Sequence, residues 1–306
     1  MNSADDTQTG APARAATQLL QAGRVTDRVR DAVNARIHAM AEAWIALAIL
    51  VFGVAFLVIM RGAPSTSFYG QDPDATGGLN FIFLLMAGFF AASSLERGLG
   101  DRTSAKPRQR TPHARRYDRV VTGSTFLALG IIVWLGLAAG DLPWPLALLV
   151  TVLAATPLGV LATRSALRAR DAGVRRPAPN LIGALSPTAC TATAVLAVWL
   201  GTIAALAGQT PQIPSLIANI IFLTGMMASY GSRWGMQRLA EEWGRTQWIA
   251  FGCSYLLING LAVVLAFAPA QHGLISIVGG ILVAAPLVVA AFLPAPIWDT
   301  EPWEAA

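Results

Sequence analysis

The run AWIALAILVFGVAFLVIM (residues 43–60) decides the fold of this chain, because no Asp, Glu, Lys, Arg or His interrupts it. A helix that crosses a bilayer needs about 20 apolar residues. Core helices of a soluble protein would show polar faces at helical spacing, whereas this run and seven later ones are apolar all round. We therefore predict an all-α integral membrane protein with eight transmembrane helices. The predicted spans are residues 43–60, 78–95, 120–139, 145–162, 185–206, 213–230, 248–268 and 274–293.

The basic residues predict how the spans are oriented. Of the 22 Arg and Lys residues, 21 lie before the first span or in the connections after the second, fourth and sixth spans, and only Arg61 lies on the other side. Cytoplasmic loops carry such an excess of positive charge, so we expect both termini in the cytoplasm and the chain in the cell membrane. The net charge of +5 and the pI near 9.9 indicate this topology and an attraction to anionic lipid headgroups, not nucleic-acid binding.

The spans divide the chain into three parts. Residues 1–42 form a cytoplasmic segment that is predicted to be disordered at first and then to form an amphipathic helix over 24–40. Such a helix lies in the membrane interface, and a solvated helical extension is the alternative. Residues 43–294 form the membrane domain. Residues 295–306 form an acidic, aromatic cytoplasmic tail, which we interpret as an interfacial anchor, with a docking peptide as the alternative.

Tryptophans lie near both predicted surfaces of the membrane. Their amphipathic rings favour the headgroup level of a bilayer, where they form aromatic belts. The predicted outer belt contains Trp144 and Trp199, and the predicted inner belt contains Trp44, Trp234, Trp243 and Trp248.

A short cytoplasmic helix is predicted over residues 233–243, between the sixth and seventh spans. Arg238 is placed to pair with Glu241 or Glu242, one turn further along, and Trp243 shares a face with Leu239. These residues are candidates for docking a partner that transmits force to the membrane domain. An interfacial helix without a partner is the favoured alternative. The docking candidates are Arg238, Glu241, Glu242 and Trp243.

The membrane domain is predicted to contain two related halves of four spans, residues 43–163 and 180–294. The second and sixth spans share a pattern of apolar and glycine residues that begins at Asn80 and at Asn219. An even number of spans keeps both halves in the same orientation, which makes this a parallel repeat. Chance matches between apolar sequences are the alternative.

Two prolines lie at corresponding places in these halves. Pro157 in the fourth span follows Thr156, and Pro286 lies in the eighth span. Each removes a backbone hydrogen bond and bends its helix. Interrupted helices at equivalent places in two halves indicate a central binding site, whereas ordinary kinks tolerated within a helix bundle are the alternative.

The predicted spans contain no ionisable side chain of the kind that drives transport. All 17 acidic residues, and His38, His113 and His272, map to loops, tails or span boundaries. Because pumps and ion-coupled carriers usually place such groups within the membrane, we do not expect either class. The sequence shows no metal-ligand spacing and no catalytic motif, so we expect no metal, no cofactor and no enzymatic activity.

Neutral polar residues within the spans carry the remaining signal. Asn259 lies near the middle of the seventh span, where an unpaired amide costs on the order of 2 kcal/mol. It must have a partner across the bundle or line a wet cavity, and an ordinary structural hydrogen bond between helices is the default alternative. The candidate substrate-pathway residues are Asn259, Pro157, Pro286, Thr156 and Asn219.

Two functions fit this pattern. The first is a transporter or permease subunit that takes its energy from a separate cytoplasmic ATPase, because the spans lack charge of their own. The second is a non-catalytic anchor or regulator of another protein or complex, with the contacts supplied by the basic loops, the N-terminal helix and the acidic tail. The expected partners are therefore the lipid bilayer and either an ATPase or another protein.

Overall fold

The computed structural model of the chain describes residues 39–60, 77–104, 112–138, 143–171, 181–209, 213–229, 235–267 and 272–297. These residues are almost entirely helical. The predicted amphipathic helix, apart from residues 39 and 40, lies outside them, as does the tail beyond residue 297. The helices and strands are α1 (Ala39–Met60), α2 (Gly77–Ser104), α3 (Pro112–Ala138), α4 (Trp144–Asp171), β1 (Leu181–Gly183), α5 (Pro187–Leu206), α6 (Ile213–Ala228), α7 (Met236–Glu242), α8 (Arg245–Phe267), α9 (His272–Ala291) and β2 (Ala295–Ile297).

Among the described residues, five helices are long and apolar enough to cross a membrane. They are α1, α5, α8, residues Leu148–Leu167 of α4 and residues Gly273–Ala291 of α9. Shorter apolar helices occupy Phe81–Glu96, Phe126–Gly136 and Ile213–Ala228. The prediction of a helical membrane protein is therefore supported, while the count of eight spans and the two-half repeat stay predictions.

The helices continue past the apolar runs that predicted them. α2 extends to Ser104, α3 begins at Pro112 and α4 extends to Asp171, so much of the basic sequence between the second and third predicted spans is helical. The apolar run shows only the part of a helix that the bilayer would cover, because charged residues beyond it can stay solvated while the backbone hydrogen bonds continue.

A short antiparallel ribbon, which the sequence did not predict, accompanies the helices. β1 pairs with β2 in the register Leu181↔Ile297, Ile182↔Pro296 and Gly183↔Ala295. Strands of three residues are too short to show an alternating pattern, and their pairing joins segments more than 100 residues apart, so local sequence did not indicate them. The first residues of the predicted tail thus belong to the fold, and Ala295 is buried. We call the end of the bundle that contains α7, β1 and β2 the ribbon end.

α5 and α9 pack with their backbones in close contact. A Cβ on Gly201 would lie 2.8 Å from the carbonyl oxygen of Gly280, and a Cβ on Gly280 would lie 2.5 Å from the carbonyl oxygen of Gly201. The neighbouring Gly279 leaves room in the same way for Leu261 of α8. Because lipid tails are as apolar as the side chains, membrane helices associate through such close backbone approach at small residues.

α1 joins this core to α3 and α4. Its Phe52 packs on Phe89 of α2, with ring centroids 5.4 Å apart. Gly53 accommodates Ile132 of α3 and Thr151 of α4, and Phe56 packs against Gly136 of α3. The outward faces of the bundle carry large apolar side chains, which a bilayer would solvate. Examples are Phe126, Trp134, Leu153, Ile217, Ile281 and Phe292.

Candidate functional site

Asn259 is buried in the interior of α8, with 3% of its surface exposed. Its Nδ2 donates to the carbonyl oxygen of Tyr255, one turn earlier, at 2.8 Å. Its Oδ1 is buried and has no hydrogen-bond partner among the residues that the structure describes. Tyr255 itself donates its phenol to the Ala48 carbonyl of α1 at 2.7 Å. The amide oxygen is therefore an unused acceptor beside a firm contact between α1 and α8.

Residues next to Asn259 on α8 pack against α2. A Cβ on Gly88 of α2 would lie 3.3 Å from Ile258 and 3.5 Å from the Tyr255 ring. A buried polar group without a partner costs about 1–3 kcal/mol. Within the described residues, Asn259 Oδ1 is therefore an acceptor whose hydrogen bond is not made.

Asn219 repeats this arrangement in α6. It is 2% exposed, and its Nδ2 donates to the carbonyl oxygen of Ser215 at 2.9 Å. Within the described part of the chain, neither Asn219 Oδ1 nor the buried Ser215 Oγ has a partner. Both asparagines therefore donate an amide N–H to their own helix, and within the described residues each has a buried oxygen that accepts no hydrogen bond.

Pro286 and Pro157 lie in different environments. Pro286 is half-buried in α9, and Ser254 of α8 donates to the carbonyl oxygen of Val283 at 2.8 Å, in the turn that precedes this proline. Pro157 and Thr156 are exposed on α4, and the Thr156 hydroxyl donates to its own helix at Val152. The structure thus places Pro286 on a helix that packs on the Asn259 helix, whereas Pro157 and Thr156 face outward.

The predicted helix between the sixth and seventh spans is present as α7, and it packs against α2 and α5. It carries Arg238 and Glu241. Trp243, which directly follows it, is 5% exposed, and its Nε1 donates to Thr193 Oγ1 of α5 at 2.9 Å. Trp243 therefore packs in the core, since its apolar ring and single N–H are both satisfied there.

Glu242 adds a second connection between α7 and α5. It is exposed, and its Oε2 accepts a long hydrogen bond of 3.4 Å from the backbone N–H of Ser186. The Ser186 hydroxyl in turn accepts from the N–H of Ala189 at 3.1 Å, which caps the first turn of α5. Of the four docking candidates, Glu242 is the one that the structure describes as exposed.

The tryptophans near the ribbon end pack on one another. Trp44 and Trp243 both lie edge-on to Trp248, with ring centroids 5.7 and 5.5 Å apart, and both also contact Phe251. Aromatic pairs favour such edge-to-face packing. These residues form an aromatic cluster inside the bundle, an arrangement that the prediction of an inner belt did not include.

Gln247 was not predicted as an important residue, yet it has the most extensive side-chain hydrogen bonding in this region. It is fully buried. Its Nε2 donates to the carbonyl oxygens of Ala290 and Leu293 at 3.0 and 3.1 Å, and its Oε1 accepts from the N–H of Gly244 at 3.0 Å. The sequence shows only a glutamine at the edge of an apolar run, and nothing local reveals that α9 ends beside it.

Glu42 is a second residue whose setting the sequence did not disclose. It lies just before the first predicted span, yet it is 2% exposed in α1. A buried carboxylate at the end of a membrane helix is costly and is often functional.

Among the described residues, no group of three His, Cys, Asp or Glu side chains is arranged to hold a metal ion.

Replacing Thr193 with valine should weaken the attachment of α7 to α5. The Trp243 N–H would lose its acceptor in a buried place, which costs about 1–3 kcal/mol. Hydrogen exchange in nanodiscs should show faster exchange of the α7 amides. Thr202→Val is the matched control. Thr202 also donates its hydroxyl to its own helix, but it is exposed, and its hydroxyl is not the acceptor of the Trp243 N–H. Equal rates of hydrogen exchange at the α7 amides in the two variants would show that the Trp243–Thr193 hydrogen bond does not attach α7 to α5.

The comparisons with known proteins returned nothing: no protein-family model, curated protein or solved structure matches this chain.

Proposed function

We propose that this chain is the membrane-embedded subunit of a transporter that takes its energy from a separate cytoplasmic ATPase. The observation that carries this proposal is the buried, unused acceptor Asn259 Oδ1 in the interior of α8. Such a group is unfavourable while it lacks a donor and gains a hydrogen bond when a polar solute enters. It is therefore suited to a molecule that binds transiently.

The substrate in this proposal is uncharged. α5 contains no Asp, Glu, Lys or Arg, and α8 contains none after Arg245. A charged solute would lose its hydration without gaining a counter-charge, which is costly in an apolar interior. A neutral solute with hydrogen-bond donors can be accepted by Asn259 at a much smaller cost.

α7 provides the route by which the ATPase acts. In this proposal the ribbon end faces the cytoplasm, as the distribution of basic residues predicts, and the chain crosses the cell membrane eight times. A partner that presses on α7 would move α5 through the Trp243–Thr193 and Glu242–Ser186 hydrogen bonds. The exposed Glu242, together with Arg238 and Glu241 of the same helix, supplies the docking residues.

Affinity purification from native membranes in a mild detergent, followed by mass spectrometry, tests the pairing. We expect a cytoplasmic ATPase in stoichiometric amount, and charge reversal at Glu242 to reduce its recovery. A membrane complex of other composition, recovered without any ATPase, would contradict the proposal.

Replacing Asn259 with leucine should reduce solute accumulation at least about tenfold, since about 1.4 kcal/mol corresponds to a factor of ten. The fold should survive, because leucine has a similar volume and removes an unpaired buried oxygen. Mass spectrometry of solutes in cells that express either form measures the first effect, and the melting temperature in nanodiscs measures the second. Thr202→Val, on an exposed face of α5, is the control. Normal accumulation in the Asn259 variant would place the pathway elsewhere.

The close packing of α5, α8 and α9 favours a second candidate, a rigid anchor or regulator of a partner protein. Glycine-mediated contacts such as Gly201–Gly280 leave these helices little freedom to move apart. In that case deletion of residues 1–38 or 298–306 should abolish function, while Asn259→Leu should have no effect. These deletions leave β2 and its pairing with β1 intact.

A further inference from the structure

The contact between α5 and α6 contains a second group of unpartnered polar atoms. We call the residues Trp199, Ser215, Asn219 and Phe222 the α5–α6 seam. Trp199 of α5 stacks on Phe222 of α6, with ring centroids 6.4 Å apart and planes inclined by 17°. Ser215, Asn219 and Phe222 follow one another at helical spacing, and all three are buried. The three α6 residues thus form one continuous face of that helix, which packs against α5 and α2.

Three polar atoms of the seam are buried without a hydrogen-bond partner in the part of the chain that the structure describes. They are Trp199 Nε1, Ser215 Oγ and Asn219 Oδ1. Ser215 and Asn219 are 1% and 2% exposed, so bulk water does not reach them freely. An unpaired buried polar atom has lost its hydrogen bonds to water without replacement, which destabilises the folded protein. Three such atoms together would remove a large fraction of the stability of a typical domain.

The hydrogen-bonding character of these atoms defines what satisfies them. The indole N–H only donates, the amide oxygen only accepts, and the serine hydroxyl does both. A hydroxyl group can pair with each of these atoms, because it accepts from the indole, donates to the amide oxygen and does either with the serine. A carboxylate has no hydrogen to donate to the amide oxygen, and an ammonium group cannot accept from the indole N–H.

The seam also selects against charge. Neither α5 nor α6 contains an Asp, Glu, Lys or Arg, so an ion there would find no counter-charge from these helices. Ser215 is the third residue of α6, which places it near the end of the helix, and Asn219 lies about 6 Å deeper along the axis. A hydroxyl at the headgroup level of a bilayer is within reach of such a position.

We propose that the α5–α6 seam binds a neutral molecule through a hydroxyl group. Two sources have this chemistry: an ordered water, and a neutral lipid with a free hydroxyl, such as diacylglycerol. The site does not depend on the transport proposal, because Asn259 and α7 take no part in it. Its failure would leave the proposed function untouched, and the reverse also holds.

The sign of the stability change in Ser215→Ala tests the proposal. If a hydroxyl is bound, the variant loses a hydrogen bond, and its melting temperature in phosphatidylcholine nanodiscs should fall by roughly 2–4 °C. Ser93→Ala is the matched control, because it makes the same change in α2 at a hydroxyl that donates to its own helix at Phe90. If Ser215→Ala melts at or above the wild-type protein in every lipid, while Ser93→Ala melts below it, the seam binds no hydroxyl and the proposal is wrong.

Added diacylglycerol distinguishes the two sources. If the bound hydroxyl belongs to a lipid, diacylglycerol in the nanodisc should raise the melting temperature of the wild-type protein. Ser215→Ala should abolish this rise. Native mass spectrometry should then show diacylglycerol retained by the wild type and by Ser93→Ala, and lost from Ser215→Ala. If the bound hydroxyl belongs to a water, Ser215→Ala should be destabilised to the same extent with and without diacylglycerol. Either result supports the hydroxyl site.

Discussion

Replacing Gly280 with valine should destabilise the bundle more than any other single substitution considered for this protein. A Cβ at this position would lie 2.5 Å from the carbonyl oxygen of Gly201 and 2.8 Å from the backbone nitrogen of Ala205. Backbone atoms cannot rotate away as a side chain can, so α5 and α9 must separate. We expect a loss of about 3 kcal/mol or more, at the upper end for overpacked cores. The free energy of unfolding, measured by denaturant titration in mixed micelles, gives this value.

Gly260→Val is the matched control for that experiment. Gly260 lies in α8, and no atom lies within 4 Å of the position that its Cβ would take. The control thus makes the same change of residue within a helix without any steric conflict. A Gly280 variant as stable as the Gly260 variant would show that α5 and α9 are not held in backbone contact.

Replacing Gln247 with leucine should loosen the ribbon end. The substitution leaves the N–H of Gly244 without its acceptor and the carbonyl oxygen of Ala290 without the donor that Gln247 provides, both in a buried place. It also removes the part-buried hydrogen bond to the carbonyl oxygen of Leu293. Unpaired buried groups cost about 1–3 kcal/mol each, so we expect a loss of roughly 2–4 kcal/mol after partial relaxation. Hydrogen exchange should also become faster at β1 and β2, because Gln247 holds the end of α9 that leads into β2.

Gln209→Leu provides the comparison at the opposite end of α5. Gln209 is half-buried and donates to the Gly273 carbonyl and to Ser276 Oγ. Water can replace part of these bonds, so its loss should destabilise the protein less than the loss of Gln247 does. If the two variants unfold alike, or if the exchange of β1 and β2 is unchanged, Gln247 does not hold the ribbon.

Substitutions at the ribbon end and at Asn259 should affect different steps of the proposed function. Gln247 and the Trp243–Thr193 hydrogen bond fasten α7 and the ribbon to the helices that carry Asn259 and Trp199. Under the proposed function, a variant that loosens the ribbon end should therefore impair coupling to the ATPase before it alters solute binding. Asn259→Leu should have the opposite effect, since it leaves the ribbon end intact.

The helical membrane class could be predicted from the sequence alone. Residues 43–60 contain no charged side chain, and in a bilayer a run of this length satisfies its backbone polar groups only as a helix. This argument needs no knowledge of neighbouring segments. The short helix α7 and the burial of Asn259 were also predictable, because the first depends on local pattern and the second on the cost of a polar group in an apolar run.

Only the tertiary structure decided which polar atoms are satisfied and by whom. Gln247 bonds to residues more than 40 positions away, and the β1–β2 pairing joins residues more than 100 positions apart. Asn219 and Asn259 each donate to their own helix, but the packing of the other helices decides that their oxygens are buried without a donor among the described residues. Pro157 and Pro286 lie at corresponding positions of the two predicted halves, but Pro157 is exposed and Pro286 is half-buried. Periodicity reports how a residue relates to its own helix, whereas hydrogen bonding and burial depend on how the helices pack against one another.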